Sequence, residues 1–332
     1  MGGKSSQTTM GKAFEYACVI EIYNRYESVT NALIAVTPQL VKVKECFESL
    51  SADTKDNLLC AARAAVRVID RYEPHLSCSN ASDPLILTVQ ADSQGQIGDV
   101  RDVLCIRKGN LWEIGLSCKH NHHAVKHSRL SGTLDFGEEW FGYPCSDTYF
   151  DTIRPVFSAL KMIRDTAKQN NREALWADIP DKAERYYVPV LEAFVREIVR
   201  LSTVYSDVPS KLVHYLIGRN DFYKVITNDS KRVTRVEAIN LAGTLSQASQ
   251  SGRPITKIPV LKTPSKFYFV GFKTDPDGKQ STNTILVACD NGWEISMRLH
   301  NASSRVEPSL KFDVQLVSFP SQLFSNDEPW DI

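Results

Sequence analysis

The sequence predicts an α/β protein in which a mixed sheet is flanked by helices and followed by a helical region and a β-rich C-terminal segment. Apolar residues recur at helical spacing before residue 70, short apolar runs separated by polar turns follow between residues 85 and 120, and β-branched runs dominate after Thr244. We therefore divide the chain into residues 1–150, with the predicted catalytic core, residues 151–244, which are mainly helical, and residues 245–332.

Two helices and three strands are predicted in the first segment. Apolar residues at 14–22 share a helical face, and Glu15 lies on that helix. Ser51 or Asp53 can cap a second helix, which carries an apolar stripe over residues 58–69. The strands that follow are predicted as an antiparallel meander, with their runs at residues 85–89, 98–105 and 112–119.

The second and third segments differ in texture. Helical stripes occupy residues 156–163 and 191–198, and a further helix is predicted from Pro209 to Ile217 with Gly218 as its end. Beyond Thr244 we expect strands, with a hairpin turn at Asp275-Pro276-Asp277-Gly278, and the strand runs lie at residues 267–272, 284–288, 293–299 and 310–317.

Composition excludes several classes of protein. Lys plus Arg and Asp plus Glu both number 39, so any affinity for a polyanion must come from local charge and not from a net field. The eight cysteines form no CxxC pair, which favours free thiols in a reducing cytoplasm over a zinc ribbon or a disulfide framework. No apolar run reaches the length of a membrane span. We expect a cytoplasmic protein with no separate protein partner.

The hairpin between residues 98 and 119 carries the predicted chemistry. A turn near Gly109 places Asp102 opposite Ser117 or its neighbour, and Lys119 points to the same face as Ser117. The Asp102 carboxylate and the backbone carbonyl of Cys118 can then hold Mg²⁺, while Lys119 orients a water and helps to deprotonate it for attack on a phosphodiester. Asp99 is a rival to Asp102, although strand alternation puts it on the other face unless a bulge intervenes.

This arrangement resembles the PD-(D/E)XK nuclease core, which has a glutamate on an N-terminal helix and then strands with Asp and (D/E)-x-Lys. Gly11-x-x-Phe14-Glu15 is similar to the helix of that core, and Gly98-Asp99-x-x-Asp102 to its Asp strand. The acid expected two residues before the lysine is Ser117 here, and Glu113 lies roughly 13 Å up the strand from Ser117. We therefore take Glu15 as the second metal-directed carboxylate and Ser117 as a supporting residue.

The resemblance extends to the HaeIII-type family of type II restriction endonucleases. It rests on Gln90-Ala91-Asp92-Ser93, on residues 112–122, 124–131 and 135–137, and on residues 298–303. It covers most of the chain and is strongest from residue 90 to 145. It implies a Mg²⁺-dependent restriction endonuclease of a restriction-modification system, which cleaves double-stranded DNA at a short GC-rich palindrome, GGCC in the type member, to blunt ends. A palindrome commonly calls for a homodimer, though one chain could act alone.

Two groups of residues are predicted to contact DNA. In the first, a polar loop leads into a helix whose basic side chains face phosphates, and its members are His122, His123, Lys126, His127 and Arg129. The second lies in residues 245–332, the predicted DNA-recognition segment, and its members are suited to base or backbone contacts: Arg298, His300, Asn301 and Lys311. An ordinary solvated face is the alternative for both groups.

Two other functions remain open from the sequence. One is a catalytically idle DNA-binding protein with the same fold. The other is a ββα-metal nuclease, which the letters His120-Asn121-His122 suggest, although the helix that such a site needs, with its own spaced ligands, is not evident.

Overall fold

The computed structural model describes residues 7–80, 82–91, 98–120 and 128–331. The chain forms two compact units. Unit 1 comprises Met1–His123, Arg219–Leu261 and Gln322–Ile332, and unit 2 comprises Ala124–Gly218 and Lys262–Ser321. Both units are thus discontinuous in sequence. The predicted domains at residues 1–150, 151–244 and 245–332 are continuous segments, and whether these segments are separate domains stays a prediction.

Local sequence explains where several helices begin and end. The Thr37 hydroxyl accepts a hydrogen bond from the Leu40 N–H at 3.1 Å, and Pro38 occupies the first helical position of the helix that follows. Gly218 ends the last helix, as predicted. The helices in the described part of the chain are α1 (Gln7–Thr30), α2 (Pro38–Glu48), α3 (Ala52–Asp70), α4 (Phe136–Phe141), α5 (Asp147–Gln169), α6 (Val188–Val204) and α7 (Val208–Ile217).

The strands occur mainly where β-branched and aromatic residues are dense. In chain order, the described residues contain β1 (Leu33–Ile34), β2 (Ile86–Val89), β3 (Val103–Arg107), β4 (Trp112–His120), β5 (Arg129–Ser131), β6 (Phe222–Asn228), β7 (Val233–Ile239), β8 (Phe267–Thr274), β9 (Gln280–Cys289), β10 (Glu294–His300), β11 (Ser309–Ser318) and β12 (Phe324–Pro329).

Unit 1 is built on a mixed sheet, the first sheet, with strand order β1-β2-β3-β4-β6-β7-β12. The β2-β3-β4 meander is antiparallel, as predicted, and β4 pairs with β6 in parallel. Helices α1 and α3 cover one face, where apolar side chains of β4 such as Ile114 and Leu116 pack in the same core as Phe14 and Ile22. In this strand order the β3–β4 hairpin lies in the middle of the sheet.

Unit 2 contains an antiparallel sheet, the second sheet, with strand order β5-β11-β10-β9-β8. Leu310, Phe312 and Val314 of β11 are buried on one face, and the alternate residues of the strand are only partly buried. The predicted hairpin turn at residues 275–278 joins β8 and β9, and Gly278 has a φ of 81° there. The mixed α/β character and the β-rich C-terminal segment are therefore confirmed.

The prediction of a helical region over residues 151–244 is wrong in its last part. Residues 222–239 contain β6, which pairs with β4, and β7, which pairs with β6, and the two strands extend the first sheet. Both strands contain charged residues, Lys224 and Glu237, inside otherwise apolar runs, and these charges disguise buried strands. The C-terminal strand β12 returns to the first sheet beside β7, a long-range pairing that no local pattern predicts.

Two expectations from composition can be compared with the structure. All eight cysteines are free thiols, as the absence of paired motifs predicts. In the described residues, no helix combines the length and the apolar character that crossing a membrane requires.

Glu73 should make the stability of unit 1 depend on pH. Its carboxylate is fully buried and accepts hydrogen bonds from the Tyr223 hydroxyl at 2.6 Å and the Ser246 N–H at 2.7 Å. Burial nevertheless raises the pKa of Glu73 from 4.5 to about 7. The Glu73 carboxyl therefore stays protonated in the folded protein at pH values at which it ionises in the unfolded chain. The free energy of unfolding consequently falls as pH rises from the unfolded pKa to the folded pKa.

We therefore expect Glu73→Gln to gain about 2 kcal/mol of unfolding free energy relative to the wild type between pH 5 and pH 7. Urea unfolding of both proteins at the two pH values measures this difference. Parallel pH dependence in the two proteins would show that Glu73 does not titrate with folding.

Candidate active site

The β3–β4 hairpin brings Asp102 and Lys119 together. Val103 pairs with Leu116, so Asp102 comes opposite Ser117, and the Asp102 N–H donates to the Leu116 carbonyl at 2.7 Å. The Lys119 ammonium lies 3.4 Å from Asp102 Oδ2. Each of the two side chains is 24% exposed, so both can be reached by a molecule from solution.

Cys118 contributes its backbone to this site. Its N–H donates to Asp102 Oδ2 at 2.7 Å. Because the N–H and C=O of one residue in an extended strand point to the same side, the Cys118 carbonyl also faces the side on which Asp102 lies. A hydrogen bond with Cys18, together with burial, raises the pKa of the Cys118 thiol well above its usual value. The thiol therefore stays protonated and is no metal ligand, since thiolate is the form that binds metals.

Glu15 reaches the same site from α1. It is 6% exposed, and Lys12 Nζ lies 3.2 Å from its Oε1. Burial, and then the negative charge of Asp102, raise the pKa of Glu15 to about 8, although Lys12 and Lys119 oppose this. Two carboxylates thus share a small, partly desolvated volume, where a cation would relieve their repulsion.

Lys119 is held in its charged form. Burial would lower the pKa of its ammonium, but Asp102, with further contributions from Cys118 and Glu15, outweighs burial and raises the pKa. The ammonium can therefore donate hydrogen bonds to a water or to a phosphate oxygen beside Asp102.

Asp99 and Glu113, the two acids that could have shared the site, both contact Arg101. The Arg101 guanidinium donates to the two Asp99 carboxylate oxygens at 2.8 and 2.7 Å, and its Nη1 lies 2.6 Å from Glu113 Oε1. Arg101 lies directly over Gly115, where a Cβ would stand 2.2 Å from its Cδ. Arg101 directly precedes Asp102, and its ion pairs with Asp99 and Glu113 were not predicted from the sequence. An isolated glycine inside a strand, such as Gly115, does indicate that another group approaches the backbone closely.

Ser117 and Lys224 lie side by side in β4 and β6. They pair in the parallel register, and Lys224 pairs in turn with Glu237 of β7. Ser117 is 2% exposed and Lys224 is 5% exposed. Burial lowers the pKa of Lys224, Glu237 opposes this, and the charge of Lys119 lowers it further. Sequence reasoning missed Lys224 because β6 itself was not predicted.

The site can offer a metal only oxygen ligands. Among residues 7–80, 82–91, 98–120 and 128–331, no three histidine, cysteine or acidic side chains are grouped as ligands. The available donors are the carboxylates of Asp102 and Glu15 and the carbonyl of Cys118. This set suits a hard cation such as Mg²⁺, which keeps several of its waters, and does not suit zinc.

Three of the residues predicted to contact DNA form one row across the second sheet. Lys311 of β11 pairs with Arg129 of β5 on one side and with His300 of β10 on the other. Their side chains share the face opposite buried Leu310 and Leu299. Burial, and then the charge of Arg129, lower the pKa of Lys311. Like charges directly opposite each other are destabilising, so an anion would bind favourably at this row.

Arg129 is not on a helix, as the sequence had suggested, but in strand β5. Leu130 is fully buried between exposed Arg129 and half-buried Ser131, which is the alternation of a strand. The Arg129 guanidinium also lies 3.1 Å from a Glu307 carboxylate oxygen. The other members of that predicted helix, His122, His123, Lys126 and His127, lie outside the described residues.

Arg298 and Asn301 already have partners in unit 2. Arg298 pairs in register with Asp313, and its Nη2 lies 3.2 Å from an Asp313 oxygen. The Asn301 amide donates to the Ser303 carbonyl and accepts from the Tyr187 hydroxyl at 3.4 Å. These two residues therefore shape the rim of the second sheet.

His120 ends β4 and does not belong to a ββα site in the described part of the chain. Its Nε2 lies 2.9 Å from Asp229 Oδ2, and its carbonyl accepts from the Gln7 side chain at 2.8 Å. When the described residues resume after His120, the next element is β5 and not a helix.

Comparison with known proteins identifies the family of the chain. The family model described as HaeIII restriction endonuclease matches residues 11–320. The chain is 37% identical over 333 residues to the type II restriction enzyme HaeIII of Haemophilus aegyptius, with 100% of each chain covered. No solved structure matches. The chain therefore belongs to the HaeIII restriction endonuclease family and is a type II site-specific deoxyribonuclease.

Proposed function

We propose that this chain cleaves double-stranded DNA with Mg²⁺ at a GGCC-like palindrome, leaving blunt ends, and that it does so in a PD-(D/E)XK-like site. The observation that carries the proposal is the 3.4 Å contact of Lys119 with Asp102, beside the Cys118 amide and close to Glu15. The recognition sequence and the blunt ends come from the family resemblance alone.

Each residue of the site has a role in this proposal. Asp102, Glu15 and the Cys118 carbonyl hold the ion. When bound, Mg²⁺ supplies an acidified water and offsets the charge on the phosphate oxygens and the leaving 3′ oxygen. The charged Lys119 ammonium donates hydrogen bonds that orient the attacking water against the phosphate and favour its ionised form, and the water's proton is lost to solvent.

Ser117 is where the chain departs from the (D/E)-x-Lys pattern. It occupies the position of the usual acid, and a serine hydroxyl can hold a water of the ion but cannot replace a carboxylate charge. Glu15 is proposed to provide that charge from α1: burial and then Asp102 raise its pKa to about 8, and a cation bound beside it would favour its ionised form. Ser117 is therefore a supporting residue in the proposed site.

DNA is proposed to contact unit 2 through the cationic row of the second sheet. Arg129, Lys311 and His300 suit phosphate or guanine contacts, and Arg298 and Asn301 adjoin them on β10 and just after it. His122, His123, Lys126 and His127 remain proposed DNA contacts from the sequence. A homodimer, with one copy at each strand of the palindrome, is also proposed.

Digestion of a mapped plasmid tests the function directly. With Mg²⁺ we expect discrete fragments whose sequenced ends are blunt and fall within GGCC, and with EDTA we expect no cleavage. Random fragments, staggered ends or a different site would overturn the corresponding part of the proposal. Binding of a GGCC duplex without any cleavage in Mg²⁺ or Mn²⁺ would overturn the proposed catalysis.

Replacement of Lys311 tests the cationic row. Lys311→Ala should weaken binding of every duplex to a similar degree and reduce the slope of log affinity against log salt by about 1 if the residue contacts a phosphate. Filter binding in Ca²⁺ at several salt concentrations measures the slope. Lys279→Ala, in the exposed β8–β9 turn of the same unit, removes the same charge and should leave the slope unchanged.

A further inference from the structure

A small cavity lies next to the proposed catalytic site, between α1 and the first turns of α2. Its volume is about 170 Å³, and it is lined by Lys12, Pro38, Gln39, Lys42 and Val43. We call it the Lys12–Lys42 pocket. None of these five residues has a role in the function proposed above.

The pocket is one side chain away from the catalytic carboxylates. Lys12 lines it and also places its ammonium 3.2 Å from Glu15 Oε1 and 3.3 Å from Oε2. The charge of Asp102 acts in turn on Glu15. A group bound in the pocket would therefore be a near neighbour of a phosphate held at Asp102 and Lys119.

The chemistry of the lining favours an anion with several acceptor oxygens. Two lysines from different helices face the same space, Gln39 adds an amide donor, and none of the five lining residues is acidic. The Lys12 side chain is 14% exposed and contacts Glu15, so its ammonium is held in place, whereas Lys42 is exposed to solvent. A phosphodiester supplies the matching negative charge and oxygens.

We propose that the Lys12–Lys42 pocket binds a phosphate of the cleaved DNA strand that neighbours the scissile one. This inference rests on the proposed function, because it presumes a DNA strand at Asp102 and Lys119. The second phosphate would fix the strand at two points and so align the scissile phosphorus with the attacking water, which is the positioning that in-line displacement requires.

Neutralising one linkage at a time locates the contact. We would measure binding in Ca²⁺ of GGCC duplexes that each carry a single methylphosphonate beside the cut, using the wild type, Lys42→Ala and Lys44→Ala. Lys44 is exposed on the same helix outside the pocket and is the matched control.

We expect one linkage at which the methylphosphonate weakens DNA binding by the wild type and by Lys44→Ala. At that linkage the methylphosphonate should weaken binding by Lys42→Ala only slightly, because this variant already lacks the contact between Lys42 and the phosphate. With unmodified duplex, the salt slope of Lys42→Ala should be smaller than that of Lys44→Ala by about 1. Equal slopes for the two variants, or equal losses at every linkage, would overturn the proposal.

Two further outcomes separate this inference from the proposed function. If the wild type binds the duplex and never cuts it, the proposed catalysis is wrong, while the linkage and slope comparisons still decide on the pocket. If inorganic phosphate competes with DNA equally for the wild type and Lys42→Ala and no linkage is coupled to Lys42, the pocket proposal is wrong even when the enzyme cuts.

Discussion

Lys119→Ala should lower the rate of DNA cleavage by about 10³-fold, the upper end of what the loss of one preorganised hydrogen-bond donor costs an active site. The variant loses the ammonium that lies 3.4 Å from Asp102 but keeps the Cys118 N–H bond that orients the carboxylate. Specific binding of a GGCC duplex in Ca²⁺ should therefore survive. Single-turnover cleavage and binding, measured on the same preparation, separate the two effects.

Lys108→Ala is the control for this experiment. Lys108 is an exposed lysine in the turn of the same hairpin, so its replacement changes net charge equally without touching the site. Cleavage by the control should match the wild type. If Lys119→Ala cuts as fast as Lys108→Ala, Lys119 has no part in the chemistry and the proposed active site is wrong.

Much of unit 1 follows from local pattern. The β3–β4 register could be predicted to within one residue, because the position of the short turn near Gly109 determines which residues come opposite each other. Asp102 and Lys119 then meet as a consequence of that register. The position of Glu15 on α1 was predicted from helical spacing and its metal role from the resemblance, whereas its approach to Asp102 depends on how α1 packs against β4.

The features that sequence reasoning missed depend on distant pairings. Lys224 enters the site only because β6 pairs in parallel with β4, about a hundred residues away in the chain. The row of Arg129, Lys311 and His300 needs β5 to join β11, and neither strand contains a local sign of its partner. Arg101 was missed for another reason, since its role follows from the space over Gly115 and not from its own neighbours in sequence.

Gly115→Ala should damage both stability and cleavage. An added Cβ would stand 2.2 Å from Arg101 Cδ and 2.7 Å from its Cγ, so Arg101 must move and release Asp99 and Glu113. Overpacking and a broken, mostly buried ion pair together should cost roughly 4 kcal/mol of unfolding free energy. Because Asp102 follows Arg101 directly, a shift of Arg101 should displace Asp102. This displacement should slow cleavage by the remaining folded protein about 10²-fold.

Urea unfolding and single-turnover cleavage at low temperature measure the two losses. Gly252→Ala is the matched control, because nothing lies within 4 Å of its added Cβ and its backbone is not left-handed, so the same methyl group should have little effect. In Gly115→Ala combined with Arg101→Ala the contacts with Cδ and Cγ are gone and only the 2.8 Å approach to Arg101 Cβ remains, so the stability losses of the two single variants should be less than additive. If the losses do add, or if Gly115→Ala behaves like Gly252→Ala, Arg101 does not hold the strand that carries Asp102.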